Sequence, residues 1–151
     1  MNKKILIVFA LSSLLQWGCS LPYIQSHQDP LTPEEHLQLA KAYELKKEYA
    51  AAIREYEAAS HRFPEAHYYL GNVYFMQDDY RKAERHYTIA IERLPQDPRV
   101  YNNLAWLYLI ENRNLNKAES LALKGLELAP RDNSASYQDT LNRIRAKKNE
   151  F

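Results

Sequence analysis

The sequence predicts an all-α fold, a solenoid of three helix pairs closed by a C-terminal capping helix, and two observations carry that prediction. The first is a pattern that recurs with a period in the thirties, as stacked helical units do. Its clearest copy is residues 65–95, EAHYYLGNVYFMQDDYRKAERHYTIAIERLP. There Leu70, Gly71 and Tyr74 share one face of a first helix, Tyr80, Ala83, Tyr87 and Ala90 share one face of a second, and Pro95 closes the unit. A shift back of 31 residues puts Leu39, Ala40, Tyr43, Tyr49, Ala52, Tyr56, Ala59 and Pro64 on the same marks. A shift forward of 34 puts Leu104, Ala105 and Tyr108 on the first-helix marks, and one of 35 puts Ala118, Ala122, Gly125 and Pro130 on those of the second. The second observation is that helix starts and turns fall where this register needs them.

The elements follow in chain order. Met1 to Cys19 reads as an export signal: Lys3 and Lys4 form a charged start, Ile5 to Leu15 an apolar run, and Gly18-Cys19 follows. That run is too short for a membrane-spanning helix, which needs about 20 residues. A lone cysteine after a small residue at the end of such a run resembles the lipobox of bacterial lipoproteins, although Gln16 and Trp17 stand where Leu and a small residue are usual. The resemblance implies cleavage after residue 18, a diacylglycerol on the Cys19 thiol and acylation of the new amino group. A plain secretory signal and an uncleaved anchor are the alternatives. Ser20 rather than Asp after the cysteine favours, by the same analogy, the outer membrane over the inner one in a Gram-negative cell. Residues 19–31 then read as a flexible linker, with two prolines and no helical period.

Thr32-Pro33-Glu34-Glu35 opens the first repeat, about residues 33–63, with a cap, a proline at the first helical position and a capping box. Its helices are expected to run to about Leu45 and from Tyr49 to about Arg62, around a turn at Lys46 to Glu48. The second repeat, about 64–97, follows after so short a step that its joint with the first is expected to be the shortest between repeats. Asp78 or Asp79 caps its second helix, and Asp97-Pro98 repeats the cap-then-proline start for the third repeat, about 98–130. An extra residue in the turn Glu111 to Asn114 accounts for the change of shift from 34 to 35. Gly125 stands where the other copies carry Ala59 and Ala90. Because glycine inside a helix costs about 1 kcal/mol relative to alanine, a close helix approach is expected there. Residues 131–151 form the capping helix from about Ser134, with Leu141 and Ile144 inward and a basic face outward, covering the end that a solenoid otherwise exposes.

The register as a whole resembles the tetratricopeptide repeat, over Thr32 to Pro130. Departures are His36, His67 and Tyr101 in place of the leading Trp, and Ala122 in place of the aromatic of the third second-helix. The resemblance implies a right-handed α-solenoid whose first helices line a concave face through their fifth, sixth, ninth, twelfth and thirteenth positions. Those are Leu37, Gln38, Lys41, Glu44 and Leu45, then Tyr68, Tyr69, Asn72, Phe75 and Met76, then Asn102, Asn103, Trp106, Leu109 and Ile110. Leu37, Lys41, Tyr68, Asn72, Phe75, Asn102, Trp106 and Leu109 are the candidate partner-binding residues. Phe75, Leu109 and Ile110 read equally well as packing between helices. The Lys and Asn with which some family members clamp a C-terminal carboxylate are here Leu37 and Lys41, so that clamp is missing.

Composition bounds the function. The 151 residues carry 20 Lys and Arg against 19 Asp and Glu, and loss of Lys3 and Lys4 with the leader leaves a formal charge of −1, no sign of nucleic-acid binding. Three glycines cannot build a phosphate-cradling loop, and one cysteine cannot form an internal disulfide. None of the five histidines has metal-ligand spacing, and no nucleophile or paired-carboxylate motif occurs, so no catalytic residue, cofactor or metal is expected. The expected function is a lipid-tethered adaptor that holds a partner polypeptide in the bacterial cell envelope, facing the periplasm. Alternatives are a permanent subunit of a pilus or secretion assembly, or an accessory to a papain-like peptidase, since LTPEEHLQLA before repeats resembles segments appended to such domains.

Overall fold

The computed structural model describes residues 30–150; the predicted leader, Cys19 and all but the end of the predicted linker lie outside the described residues. Among the described residues there are seven α-helices and no strand: α1 Pro33–Leu45, α2 Tyr49–Ala59, α3 Glu65–Met76, α4 Tyr80–Arg93, α5 Pro98–Ile110, α6 Leu115–Leu128 and α7 Ala135–Lys148, with a 3₁₀ turn at Arg131–Asn133 before the last. None of them is long and apolar enough to cross a membrane. They pair as α1 with α2, α3 with α4 and α5 with α6, each pair stacks on the next, and α7 packs on α6 and α5. This is an α-solenoid with a terminal helix.

Small residues at the crossings let these helices approach. Ala40, Ala52, Ala59, Ala66, Ala83, Ala90, Ala105, Ala118 and Ala122 are all fully buried, and the rings of Tyr56, Tyr87 and Tyr108 fill the space that they leave. Gly125 shows the close approach expected of it: a Cβ there would lie 3.2 Å from the Pro98 carbonyl oxygen and 3.4 Å from the Asn102 nitrogen of α5. Leu141 and Ile144 are buried from α7, as the capping role requires.

Caps explain where the helices start. Thr32 and Glu35 form the capping box, Asp79 accepts from the Lys82 N–H and Asp97 from the Arg99 N–H. Each first helix ends in the same way. The N–H groups of Glu48, Asp79 and Arg113 donate to the carbonyls of Tyr43, Tyr74 and Tyr108, and those of Lys47, Asp78 and Asn112 donate to Glu44, Phe75 and Leu109. This double bond pattern needs one residue in the left-handed region, and Lys47 (φ 60°), Asp78 (58°) and Asn112 (49°) supply it. Asp and Asn tolerate that conformation, whereas Lys carries its Cβ strain without compensation. Lys47→Gly is therefore expected to raise stability by about 0.5–1 kcal/mol, and Asn112→Gly by less. Urea melts check the order, and an unchanged or lower midpoint for Lys47→Gly would refute the strain argument.

The expected shortest joint is not found. Five residues, 60–64, connect α2 to α3, against four, 94–97, between α4 and α5. The shorter period is taken out of the helix instead: α2 has 11 residues where α4 and α6 have 14, so it stops at Ala59 rather than near Arg62. Past Ala59 the chain winds tightly, with the N–H groups of Arg62 and Phe63 both donating to the Ala59 carbonyl, before Pro64 opens α3 in helical conformation.

Candidate functional site

The ninth positions of the three first helices, Lys41, Asn72 and Trp106, all reach open hollows on the face formed by α1, α3 and α5. One hollow, of about 300 Å³, is lined by Glu44, Asn72, Phe75, Met76, Tyr87, Asn103 and Trp106. A second is lined by Lys41, Glu44, Leu45, Lys47, Tyr49 and Met76. Glu44 and Met76 belong to both, so the two form one groove. Leu45, Met76 and Ile110, the thirteenth positions, leave an exposed apolar edge along it, with Leu45 87% and Met76 64% accessible. Apolar side chains held this far in water are the ones that gain most from being covered.

At the floor, hydrogen bonds fix which polar atoms face a ligand. The Asn72 Oδ1 accepts from the Tyr87 hydroxyl at 2.9 Å and from the Asn103 Nδ2 at 2.9 Å. Both acceptor positions of that oxygen are used, and the amide is thereby held in one orientation. The Asn72 amino group and the Asn103 carbonyl oxygen have no hydrogen-bond partner among the described residues and are not buried. Amide donors from Asn72 and an acceptor from Asn103, in one hollow with Phe75 and Trp106, are what a peptide group can pair with. Beside them Tyr56, buried in α2, donates to the Glu44 carboxylate at 2.5 Å. Burial first, and then that bond, push the Tyr56 phenol well above its ordinary range.

The fifth positions behave differently from the expectation. Leu37 is in the core at 5% exposure, the Arg99 guanidinium of α5 lies 4.7 Å over the Tyr68 ring, and the Asn102 Oδ1 is buried with no hydrogen-bond partner. None of the three lines the groove; where its cover can be named, as for Tyr68, it comes from the following unit. Leu109 packs against the core, and Phe75 both packs there and lines the hollow. Lys41 sits 5.1 Å over the Tyr69 ring, which stacks on Tyr56. Of the eight candidates, Asn72, Phe75 and Trp106 come together and Lys41 adjoins them. Glu44, Asn103 and Met76 were in the wider set of lining positions, and Tyr87 was read only as core. Its hydroxyl meets Asn72 across 15 residues of sequence, a contact that only the packed geometry reveals.

No group of three or more metal-ligating side chains occurs among the described residues. Elsewhere, Glu84 of α4 ties three elements by accepting from the Tyr108 hydroxyl and from Arg113. Burial acts to raise that carboxyl, but the Arg113 and Tyr108 bonds outweigh it and hold it below the usual range.

Comparison with known proteins agrees with this architecture. Three profiles described as tetratricopeptide repeat match residues 37–80, 64–97 and 86–120. No curated protein matches the sequence. Among solved structures, the TPR2B domain of yeast Sti1, in complex with pHsp70, is 19% identical, with a TM-score of 0.67 over 79% of this chain and 98% of that one. The Yersinia enterocolitica type III secretion chaperone SycD, in complex with a peptide of the translocator YopD, is 22% identical, with a TM-score of 0.69 over 76% and 93%. PcrH from Pseudomonas aeruginosa is 18% identical, with a TM-score of 0.69 over 82% and 98%. At these identities the structural likeness shows the fold. The repeat matches together run from residue 37 to residue 120, more than half of the sequence, and the chain belongs to the tetratricopeptide-repeat family.

Proposed function

We propose that this protein is a non-catalytic adaptor, tethered to a membrane in the bacterial cell envelope through lipid on Cys19, that holds an extended segment of a partner polypeptide in the groove between α1, α3 and α5. The observation that carries this reading is the Asn72 amide, whose oxygen is held by Tyr87 and Asn103 so that its amino group is left for a ligand in a hollow also lined by Phe75, Met76 and Trp106. Such an arrangement pairs with a peptide backbone while Phe75, Met76 and Trp106 cover side chains, the division of labour expected of a peptide groove. SycD, a domain of this fold, is solved in complex with a peptide of the translocator YopD, which supports a peptide as the ligand. The tether rests on the charged start, the short apolar run and Gly18-Cys19, with the outer membrane favoured by Ser20. Several acyl chains, each worth about 0.8 kcal/mol per buried methylene, make a stable anchor where one does not.

Membrane-extracted protein is expected to begin at an acylated Cys19 by mass spectrometry, and to retain a polypeptide at low salt that is released by Asn72→Leu. An unmodified thiol on a chain beginning elsewhere refutes the tether. A partner retained undiminished by Asn72→Leu refutes the groove. A partner that resists high salt as well as low favours a permanent subunit of an envelope assembly over a transient adaptor.

A further inference from the structure

The second repeat holds its two helices together with a pair of histidines. His67 of α3 and His86 of α4 face each other with their Nδ1 atoms 3.2 Å apart and their rings stacked, centroids 5.4 Å apart. Tyr74, also on α3, stacks on the other side of His86 at 5.4 Å. The same two register positions in the first repeat carry His36 and Glu55, with the His36 Nδ1 2.7 Å from the Glu55 carboxylate. In the third they carry Tyr101 and Leu121. One contact thus has three chemistries.

The groups around the pair offer no compensating anion. Arg85, Arg93 and Lys82 of α4 and His61 of the turn before α3 act on the two imidazoles, all of them cationic or neutral. Glu57 of α2 and Asp79 bear on Tyr74, and Asp79 is bonded to Lys82. The one charged residue of α5, Arg99, is held by Asp97. A first proton on the pair therefore puts an imidazolium among like charges in a half-buried contact, and a second leaves two N–H donors facing each other.

We propose that the His67–His86 contact is an acid-sensitive joint, at which protonation separates α3 from α4 and so disorganises the groove that these two helices supply with Asn72 and Tyr87. Its effect on a ligand rests on the groove reading above; its effect on the helices does not. The direction agrees with the titration of the groups. Burial first, then Arg93, His61 and Arg85, lower His67, and burial, then His67, Arg85 and Lys82, lower His86 to about 4. A histidine depressed in the folded state contributes stability that is present above its unfolded value of about 6.5 and is lost as pH falls from there toward the folded value. Carboxylates held low by partners, such as Glu119 under Lys148 and Arg145, lose their contribution only at lower pH. The interval from about pH 6.5 to about pH 5 is therefore left to the imidazoles.

Amide hydrogen exchange of the full-length chain, expressed as protection factors at about pH 7 and about pH 5, tests this without any partner. The expected result is a loss of protection in α3 and α4 of roughly tenfold, with α5 and α6 changing less and α1 and α2 not weakened. His86→Glu installs the pairing of the first repeat and is expected to abolish or invert the response, and His86→Gln, which does not titrate, to abolish it. Protection in α3 and α4 that falls no further than in α5 and α6 overturns the proposal. So does retention of the full acid loss by His86→Gln, whichever way His86→Glu folds.

Discussion

Tyr87→Ala is expected to cost about 3–5 kcal/mol, the range for truncating a buried aromatic. In a domain whose whole stability is on the order of 5–15 kcal/mol, that loss should lower the melting temperature steeply. The ring is 1% exposed and lies directly on Gly71, where a Cβ would come within 2.4 Å of its Cε1. The ring and the missing side chain are thus one fitted unit. Gly71→Ala should on its own cost about 1–3 kcal/mol, because the overlap with a rigid, buried ring outweighs the better helix propensity of alanine, about 1 kcal/mol. In a Tyr87→Ala background the same substitution should cost nothing or stabilise, since the clash is gone. Urea melts of both single variants and the double give the coupling, and additive costs would show that the ring can move aside. Tyr87→Phe isolates the hydroxyl. It should cost only about 1 kcal/mol, as Asn72 keeps its bond from Asn103.

Those residues also show what sequence can and cannot reveal. The register exposed Tyr87 as a packing residue and Gly71 as a small one, because both recur at a fixed offset on a helix face. Caps at Thr32, Asp79 and Asp97 were legible for a local reason: a side chain bonds to backbone two or three residues away. The period of 31 told how many residues the first step lacks but not from which element they are taken, and they came from α2 rather than from the joint. Groove residues were legible as a set of positions, while the exclusion of Leu37, Tyr68 and Asn102 depends on what packs over them. For Tyr68 that is Arg99, 31 residues away. The histidine pairs left a signal that could have been read: His36 to Glu55 and His67 to His86 are both 19 residues, so one shared register holds both contacts.

The basic face of α7 is expected to point outward, and Arg143 and Arg145 are exposed. Arg145 and Lys148 also bond Glu119 of α6, and the Arg143 guanidinium lies 5.7 Å over the Trp106 ring. The capping helix therefore reaches the end of the groove. Which way a terminal helix lies across its neighbours is a tertiary matter that its own periodicity does not encode.

Trp106 and Tyr74 are both aromatics on first helices, and their truncation is expected to separate binding from stability. Tyr74 is 8% exposed, packed between His86 on one side and the Lys82 ammonium, 4.9 Å from its ring, on the other. Tyr74→Ala should cost about 3–5 kcal/mol and lower the melting temperature clearly. Trp106 stands half-buried in the wall of the hollow of about 300 Å³, where its main protein contact of note is Arg143. Loss of that cation–ring contact is worth about 0.5–1 kcal/mol, so Trp106→Ala should shift melting little. Its effect on a bound polypeptide should be larger, about 2 kcal/mol or more, because a tryptophan beside fixed polar groups in a groove is the kind of residue that dominates an interface. Tyr68→Ala belongs with Tyr74 rather than with Trp106, since Arg99 and Tyr69 already cover the Tyr68 ring. Thermal melts and partner retention, measured on all three variants, give the answer. If Trp106→Ala destabilises as much as Tyr74→Ala and still retains every partner, Trp106 is a core residue and the polypeptide binds elsewhere.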